Sequence, residues 1–508
     1  MSERDSLRGR HESLWMDTTP RTDFPTMDGH RRVDTVVLGG GITGVTAAVH
    51  CKEAGQDVAL LEKGRIVEGV TGKTTAKVTS LHSLIYHQLL EKHGRERAQG
   101  YAEANSAAVE EIADRVESHD IDCDFGRLPA YTYVTDEKKR GQVEREVSVA
   151  QSLGLPAAFV EDPPFPGRSA GAVRFDEQVH FHPRKYLLDL AEEIPGEGSH
   201  VFENTKATGI GDGSPCEVET PHGTVTADTV LVATHFPIED PAAYFARQFP
   251  HRSYILGVRL AEEPPEGMFY RKSQSYFSVR PYPGAEGNLT LVGGQSHKTG
   301  QGGSTTERYR RLERQAREHF DVESVEYRWS TQDFSSADKI PYVGRLGPGY
   351  ENVYGATGYG GWGMTNGTAA GMLLAQFARG DPNRLWAHTF DPERIDPGAA
   401  GKKLVTENAN VGKEFTRDWA EALLGTADET VPPGAGEVVR RDGKPLAVAR
   451  DEEGDLHVRS AVCTHMGCIV HWNDGERSWD CPCHGSRFSI DGDVLDGPAN
   501  EELPSRWE

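Results

Sequence analysis

Asp34-Thr35-Val36-Val37-Leu38-Gly39-Gly40-Gly41-Ile42-Thr43-Gly44 decides the architecture of the front of this chain. Asp34 to Leu38 is a short apolar run suited to a central parallel strand. The glycines follow as G-x-G-x-x-G: Gly39 allows the tight turn, Gly41 lets a pyrophosphate approach the backbone, and Gly44 lets helix and strand pack. Val45 to Ala54 reads as a helix ended by Gly55. Asp57 to Leu61 is the next strand, closed by Glu62 with Lys63 beside it. The helix N-terminus favours phosphate charge. Glu62 sits where a carboxylate can bind both ribose hydroxyls, and an acid there disfavours a 2′-phosphate. The complete β-α-β unit, rather than the six-residue pattern alone, predicts dinucleotide binding.

Gly358-Tyr359-Gly360-Gly361-Trp362-Gly363 repeats the pattern after Asn352 to Thr357 and opens a helix over Met364 to Phe377. No strand ending in an acid follows, and Asp381-Pro382 begins a loop. This is therefore a helix N-terminus that can face a cofactor, not a second dinucleotide unit.

The tail carries Cys463-Thr464-His465-Met466-Gly467-Cys468 and Cys481-Pro482-Cys483-His484-Gly485-Ser486, in a chain with only 7 Cys among 508 residues. Two thiolates and two imidazoles are the ligand set of a 2Fe–2S centre in which histidines replace two cysteines on one iron. Zinc is the competing reading of Cys/His loops. It leaves two cysteines inside those loops without a role.

The tail resembles the Rieske family, and within it the cytochrome bc-type branch. The resemblance implies that Cys463 and Cys481 bind one iron and His465 and His484 the other. It implies a disulfide between Cys468 and Cys483, a covering loop at Gly497-Pro498, and a hydrogen-bond donor at Ser486. Phe488 stands where high-potential members carry a tyrosine hydroxyl. Hydrogen bonds to cluster sulfurs raise the potential, so one missing donor predicts a value below the upper end of the range of about −150 to +300 mV.

The front resembles the glutathione-reductase-type flavoproteins, best the D-amino acid oxidase and glycine oxidase group. Thr74-Thr75-Ala76 stands where that group contacts pyrophosphate and flavin. Phe181-His182-Pro183, Thr229 to Ala233-Thr234 with His235 in place of a glycine, and Asp338 to Gly344 follow in the group's order. The resemblance implies an FAD-binding α/β domain with an inserted antiparallel-sheet substrate domain, joined to a small all-β 2Fe–2S domain. The FAD residues carried over are Gly39, Gly41, Ile42, Thr43, Gly44, Glu62, Lys63, Thr74, Thr75, Ala76, Ala233, Thr234, Gly360, Gly361, Trp362, Gly363 and Met364. NAD on the same fingerprint is the alternative; the late glycine loop has no role in a simple NAD domain. A helix dipole at that loop would stabilise reduced flavin by about 0.3–2 kcal/mol.

The chain has 78 acidic against 55 basic residues, a net charge of −23. That excludes nucleic acid and anionic membranes as expected partners. No apolar stretch approaches the ~20 residues of a transmembrane segment, and no secretory signal is visible. The chain reads as cytoplasmic, where a disulfide is unusual.

By composition, residues 1–30 form an arm anchored by Trp15, 31–390 the oxidoreductase, 391–425 a connector with an amphipathic helix over 412–424, and 426–508 the 2Fe–2S domain. The substrate part is expected over about 106–175 and 236–328, with strands at Tyr276–Tyr282 and Leu289–Gly294 turning at Pro283-Gly284. Arg280 is the candidate for a donor carboxylate, with Tyr282 and His297 beside it. Trp362 is a candidate cover for the flavin, and a covalent flavin link at His82 is not expected. The expected function is oxidation of a small organic donor, an amine or amino acid. Electrons would pass from FAD to the cluster and on to a redox protein or quinone, by cluster histidines expected to face solvent. A redox sensor and a pure electron carrier are the alternatives.

Overall fold

The computed structural model describes residues 7–273, 276–283, 289–394, 397–424 and 431–505. Strand β1 (Gly29–Leu38) has Val36, Val37 and Leu38 all buried, because a parallel strand is covered on both faces. Helix α1 (Ile42–Glu53) starts earlier than the sequence suggests. Gly44 already lies inside it, where a Cβ would meet Gly39 O at 1.8 Å. Strand β2 (Val58–Leu61) and strand β3 (Gly223–Val232) flank β1 in parallel. The sheet runs Tyr342–Arg345, Val353–Thr357, β3, β1, β2, His200–Phe202.

A second, largely antiparallel sheet is the insert. Its strands β4 (Gln248–Leu260), β5 (Met268–Arg271), β6 (Phe277–Tyr282), β7 (Leu289–Lys298) and β8 (Val322–Ser336) lie in the order β8-β4-β7-β6-β5. The sheet continues through Gly126–Tyr133, Ala172–His180 and Lys77–Val78. The insert thus extends past the expected limits of 175 and 328. Gly284, half of the expected turn, lies outside the described residues. Helix α2 (Thr305–His319) packs Tyr309, Leu312 and Ala316 on one sheet face, against Tyr254, Leu256 and Val292.

Helix α3 (Gly363–Ala378) follows the late glycine loop and crosses α1. The crossing is close because Gly367 and Gly371 carry no side chain: a Cβ on Gly371 would meet Thr43 O and Thr46 Cβ, both at 2.7 Å. Both helix N-termini are thereby brought side by side, with Thr43 Oγ1 2.8 Å from Tyr359 Oη.

Helix α4 (Pro397–Leu424) fills most of the connector, reaching further back than the expected start at 412. The tail forms a three-stranded sheet (Gly436–Arg441, Lys444–Arg450, Leu456–Ser460) and a four-stranded one (His471–Asn473, Ser478–Asp480, Arg487–Phe488, Val494–Asp496). It is docked on the insert. Asp474 accepts from Thr305 N at 2.7 Å and Ser304 Oγ at 2.6 Å, so an acid from the tail sits at the N-terminus of α2. Tyr309 donates to Glu476 at 2.6 Å, and Arg252 lies 3.6 Å from the same carboxylate. The arm is also fastened: Trp15 is fully buried and donates from Nε1 to Thr74 O at 2.7 Å.

Candidate functional site

A cavity of about 1320 Å³ opens where the carboxyl ends of the first sheet face the insert. Gly39, Gly41, Ile42, Thr43, Glu62, Lys63, Thr74, Thr75, Ala233, Thr234, Gly360, Gly361, Trp362, Gly363 and Met364 all line it. Ala76 and Gly44 do not; Gly44 packs against the loop, and Ala76 is fully buried. A Cβ on Gly39 would meet Ala233 O at 2.5 Å and one on Gly40 would meet Ile66 Cδ1 at 2.3 Å, so the cradle needs bare backbone. Both Glu62 carboxylate oxygens accept backbone N–H groups, from Gly40 at 2.8 Å and Gly64 at 2.9 Å, which fixes the acid at the cavity wall. His82 stays behind the cavity, its ring stacked on Trp362 at 4.8 Å.

The insert supplies the opposite wall by simple alternation of strand side chains. His251, Ser253 and Ile255 of β4 point in, as do Thr331, Asp333 and Ser335 of β8. Tyr276, Ser278, Tyr270 and Lys272 complete that wall. Asp333 ties it to the late glycine loop, accepting from Gly361 N through Oδ2.

The structure sets the three candidates for the donor site apart from the cavity lining. None of Arg280, Tyr282 and His297 lines the cavity. Arg280 shares the face of Ser278, but the Thr75 segment lies over it. Its guanidinium is fully buried and donates to Thr75 O at 3.1 Å and Phe181 O at 2.9 Å. Tyr282, further along, donates to Asp124 at 2.8 Å. His297 is one residue out of phase with Ser296 and pairs with Tyr254 Oη at 2.9 Å and Gln301 O at 2.7 Å.

Beside Lys63 and Lys206 on the far side, the insert wall brings the cations Lys77 and Lys272 to the cavity. Lys77 donates to Ser278 Oγ; burial, then the charge of Arg280, lowers its pKa to about 7. Burial also lowers that of Lys272. Neither stood out in sequence, where a lysine after Thr-Thr-Ala carries no pattern; only the sheet register brings the two walls together.

The tail's two loops converge. Cys463 and Cys481 are buried free thiols, while Cys468 and Cys483 are joined as a disulfide. The sulfurs of Cys468, Cys481 and Cys483 lie within 4.8 Å of one another. Two of these are spent on the disulfide, so only Cys481 of that trio can offer a thiolate. The His465 and His484 rings lie 5.1 Å apart at 87°, and His484 Nδ1 is buried with no hydrogen-bond partner. Two free thiols, two facing imidazoles and an orphaned ring nitrogen fit a mixed-ligand 2Fe–2S centre. Ser486 Oγ hydrogen-bonds Cys463 and accepts from Ala499 N at 2.9 Å.

The expectation of solvent-facing histidines is not met by His484, whereas His465 is half-buried. His484 is only 6 % exposed. Both rings pack edge-on against Phe245 of the flavin-cavity half, at 5.7 Å for His465 and 5.3 Å for His484.

The family model for FAD dependent oxidoreductases matches residues 34–377, and that for the Rieske [2Fe-2S] domain matches residues 423–506. YhfW of Bacillus subtilis, named as a Rieske 2Fe-2S iron-sulfur protein, is 36 % identical over 495 residues, 97 % of each chain. Gamma-glutamylputrescine oxidoreductase of Escherichia coli is 27 % identical over 390 residues, 74 % of this chain and 90 % of that one. Glycine oxidase from Geobacillus kaustophilus shares the fold with a TM-score of 0.57 and 19 % identity, over 72 % of this chain and 99 % of that one. No helix among the described residues is long and apolar enough to cross a membrane. The chain belongs to the FAD dependent oxidoreductase family: it is an enzyme that binds FAD and, through a C-terminal Rieske domain, a 2Fe–2S cluster.

Proposed function

We propose that the protein oxidises a small amine or amino acid and passes the electrons through its 2Fe–2S cluster to an external redox protein or quinone. The observation that carries this reading is the cavity of about 1320 Å³, walled on one side by both glycine loops and on the other by a polar, lysine-bearing sheet. When bound, FAD supplies a hydride acceptor and the cluster a one-electron carrier.

The cavity residues divide the work. Gly39 to Thr43 and Gly361 to Met364 present two helix N-termini to anionic parts of the dinucleotide. Glu62 and Lys63 stand at the ribose end, and Thr74, Thr75, Ala233 and Thr234 close the sides. Lys77 and Lys272 take the part first given to Arg280, receiving a donor carboxylate by charge-assisted hydrogen bonds. Trp362 and Tyr270, with rings 5.3 Å apart, shield the reacting end from water. Cys463, Cys481, His465 and His484 hold the irons. The working parts are the arm to residue 30, the oxidoreductase to 390, the connector to 425 and the cluster domain to 508.

Related proteins support the donor class, since gamma-glutamylputrescine oxidoreductase is named for an amine-bearing substrate. The test is an anaerobic screen of amines, amino acids and hydroxy acids by rapid-scanning absorbance. One donor should bleach the flavin first and the cluster second. Failure of every donor to bleach flavin would remove the proposed oxidation of an amine or amino acid and favour a sensor or carrier role.

A further inference from the structure

The pairing of β4 with β8 has a two-sided consequence. His251 is in register with Asp333, and Pro250 with Phe334. His251, Ser253, Thr331 and Asp333 line the flavin cavity. Their neighbours Pro250 and Gln332 point the other way, and there they meet the second cluster loop. Gln332 Nε2 donates to Gly485 O at 2.8 Å. A Cβ on Gly485 would meet Pro250 Cβ at 2.4 Å, so loop and strand are in direct contact. Gln332 is fully buried and its Oε1 is fixed by Thr299 Oγ1 at 2.7 Å. Two further bonds hold the same loop region: Gln301 Nε2 to Pro482 O at 2.9 Å, and His471 Nδ1 to Gly300 O at 2.8 Å.

Tail residues Asp493 to Gly497 and Ala499 to Glu502 also reach the cavity, so the β4–β8 ribbon is one wall that the two sites share. Resting on the function proposed above, we infer that electrons pass from the flavin cavity to the cluster through this ribbon, with Gln332 and Gln301 as positioning residues that hold the Cys481–Ser486 loop against it. Transfer runs in the docked arrangement, across one sheet thickness, without movement of the tail. Face-to-face layers stack about 10 Å apart, so no spacer layer stands between the two sites. Phe245, just before the start of β4, packs on both cluster histidines. The histidine edge therefore serves the internal step, and an external acceptor collects its electron elsewhere on the tail.

The redox balance is as follows. Oxidation of a donor H–C–N–H to C=N releases two electrons and two protons. The electrons cross singly, each converting one ferric ion of the cluster to ferrous. A one-electron acceptor must empty the cluster between the two crossings. Both protons leave on the cavity side.

The test uses the anaerobic full-length holoprotein, with flash photoreduction by a deazaflavin and oxalate as the sacrificial reductant, and no amine or amino acid. In the unchanged chain, flavin absorbance should decay into cluster absorbance at a rate independent of protein concentration and of solvent viscosity. Gln332→Leu and Gln301→Leu should each slow that phase by about tenfold, as loss of one positioning hydrogen bond implies. The electron paramagnetic resonance spectrum of the reduced cluster and both midpoint potentials should stay unchanged, which separates mispositioning from a damaged centre. A viscosity-dependent rate in the unchanged chain, or unaltered rates in both variants, overturns the inference. A cluster that never takes an electron in the unchanged chain overturns instead the functional reading beneath it.

Discussion

Lys77 holds its ammonium in a wall of hydroxyls and carbonyls, with Ser278 and the Phe269 carbonyl as its partners. Burial, then the Arg280 charge, brings its pKa to about 7. A carboxylate ligand supplies the missing counter-charge, so affinity for it should fall as pH rises through about 7 and the ammonium is lost. Lys77→Met should weaken a carboxylate ligand by about 10–100-fold, the worth of a hydrogen bond to a charged group, and flatten that pH dependence. Titration of flavin absorbance with carboxylate analogues checks both. Asp338 makes the opposite case. Burial alone would raise its pKa; the guanidinium of Arg394, at 2.7 and 3.0 Å, overrides that and lowers it. A folded pKa below the unfolded value gives stability that is present above the usual carboxylate range and lost as pH falls through it. Asp338→Asn leaves Arg394 buried and uncompensated, a cost of about 3–5 kcal/mol, measurable by denaturant unfolding. Phe488, fully buried among the cluster cysteines, offers no hydroxyl. Protein-film voltammetry should place the cluster clearly below about +300 mV.

The elements show what was legible and why. The β-α-β unit and the late helix were readable because glycine spacing is a local code for backbone that must stay bare. The α1–α3 crossing was not, since Gly367 and Gly371 look like ordinary breaks until the partner helix is known. Gly371→Val should force the helices apart, because a Cβ already meets Thr46 at 2.7 Å. Overpacking of about 1–3 kcal/mol is expected, together with weakened retention of FAD on gel filtration. The insert was legible as strands, but not in which face each residue takes. Arg280 was on the correct face and covered by the Thr75 segment; His297 was on the wrong one by a single residue. A period of two makes such errors complete rather than partial. The cluster loops, by contrast, were readable residue by residue, because their chemistry sits in two short stretches.

The molecule as a whole places the two halves in register rather than in loose succession. Nothing in a sequence of separate family patterns announces that Asp474 sits at the start of α2, or that Glu476 receives Tyr309 and faces Arg252. Those contacts, with Gln332 and Gln301, predict one cooperative thermal transition for the holoprotein in calorimetry. Two resolved transitions would mean that the halves unfold independently. The packing of the cluster histidines was missed for the same reason: their partner, Phe245, lies more than two hundred positions earlier in the chain.

The buried arm bears on how the protein is made. Trp15 settles against Thr74, while His11 finds Glu476 at 3.3 Å. A ribosome therefore releases one of these partners long before the other exists. The leading segment must stay unfastened at its near end through almost the whole of translation, and its final seating reports that the tail has arrived.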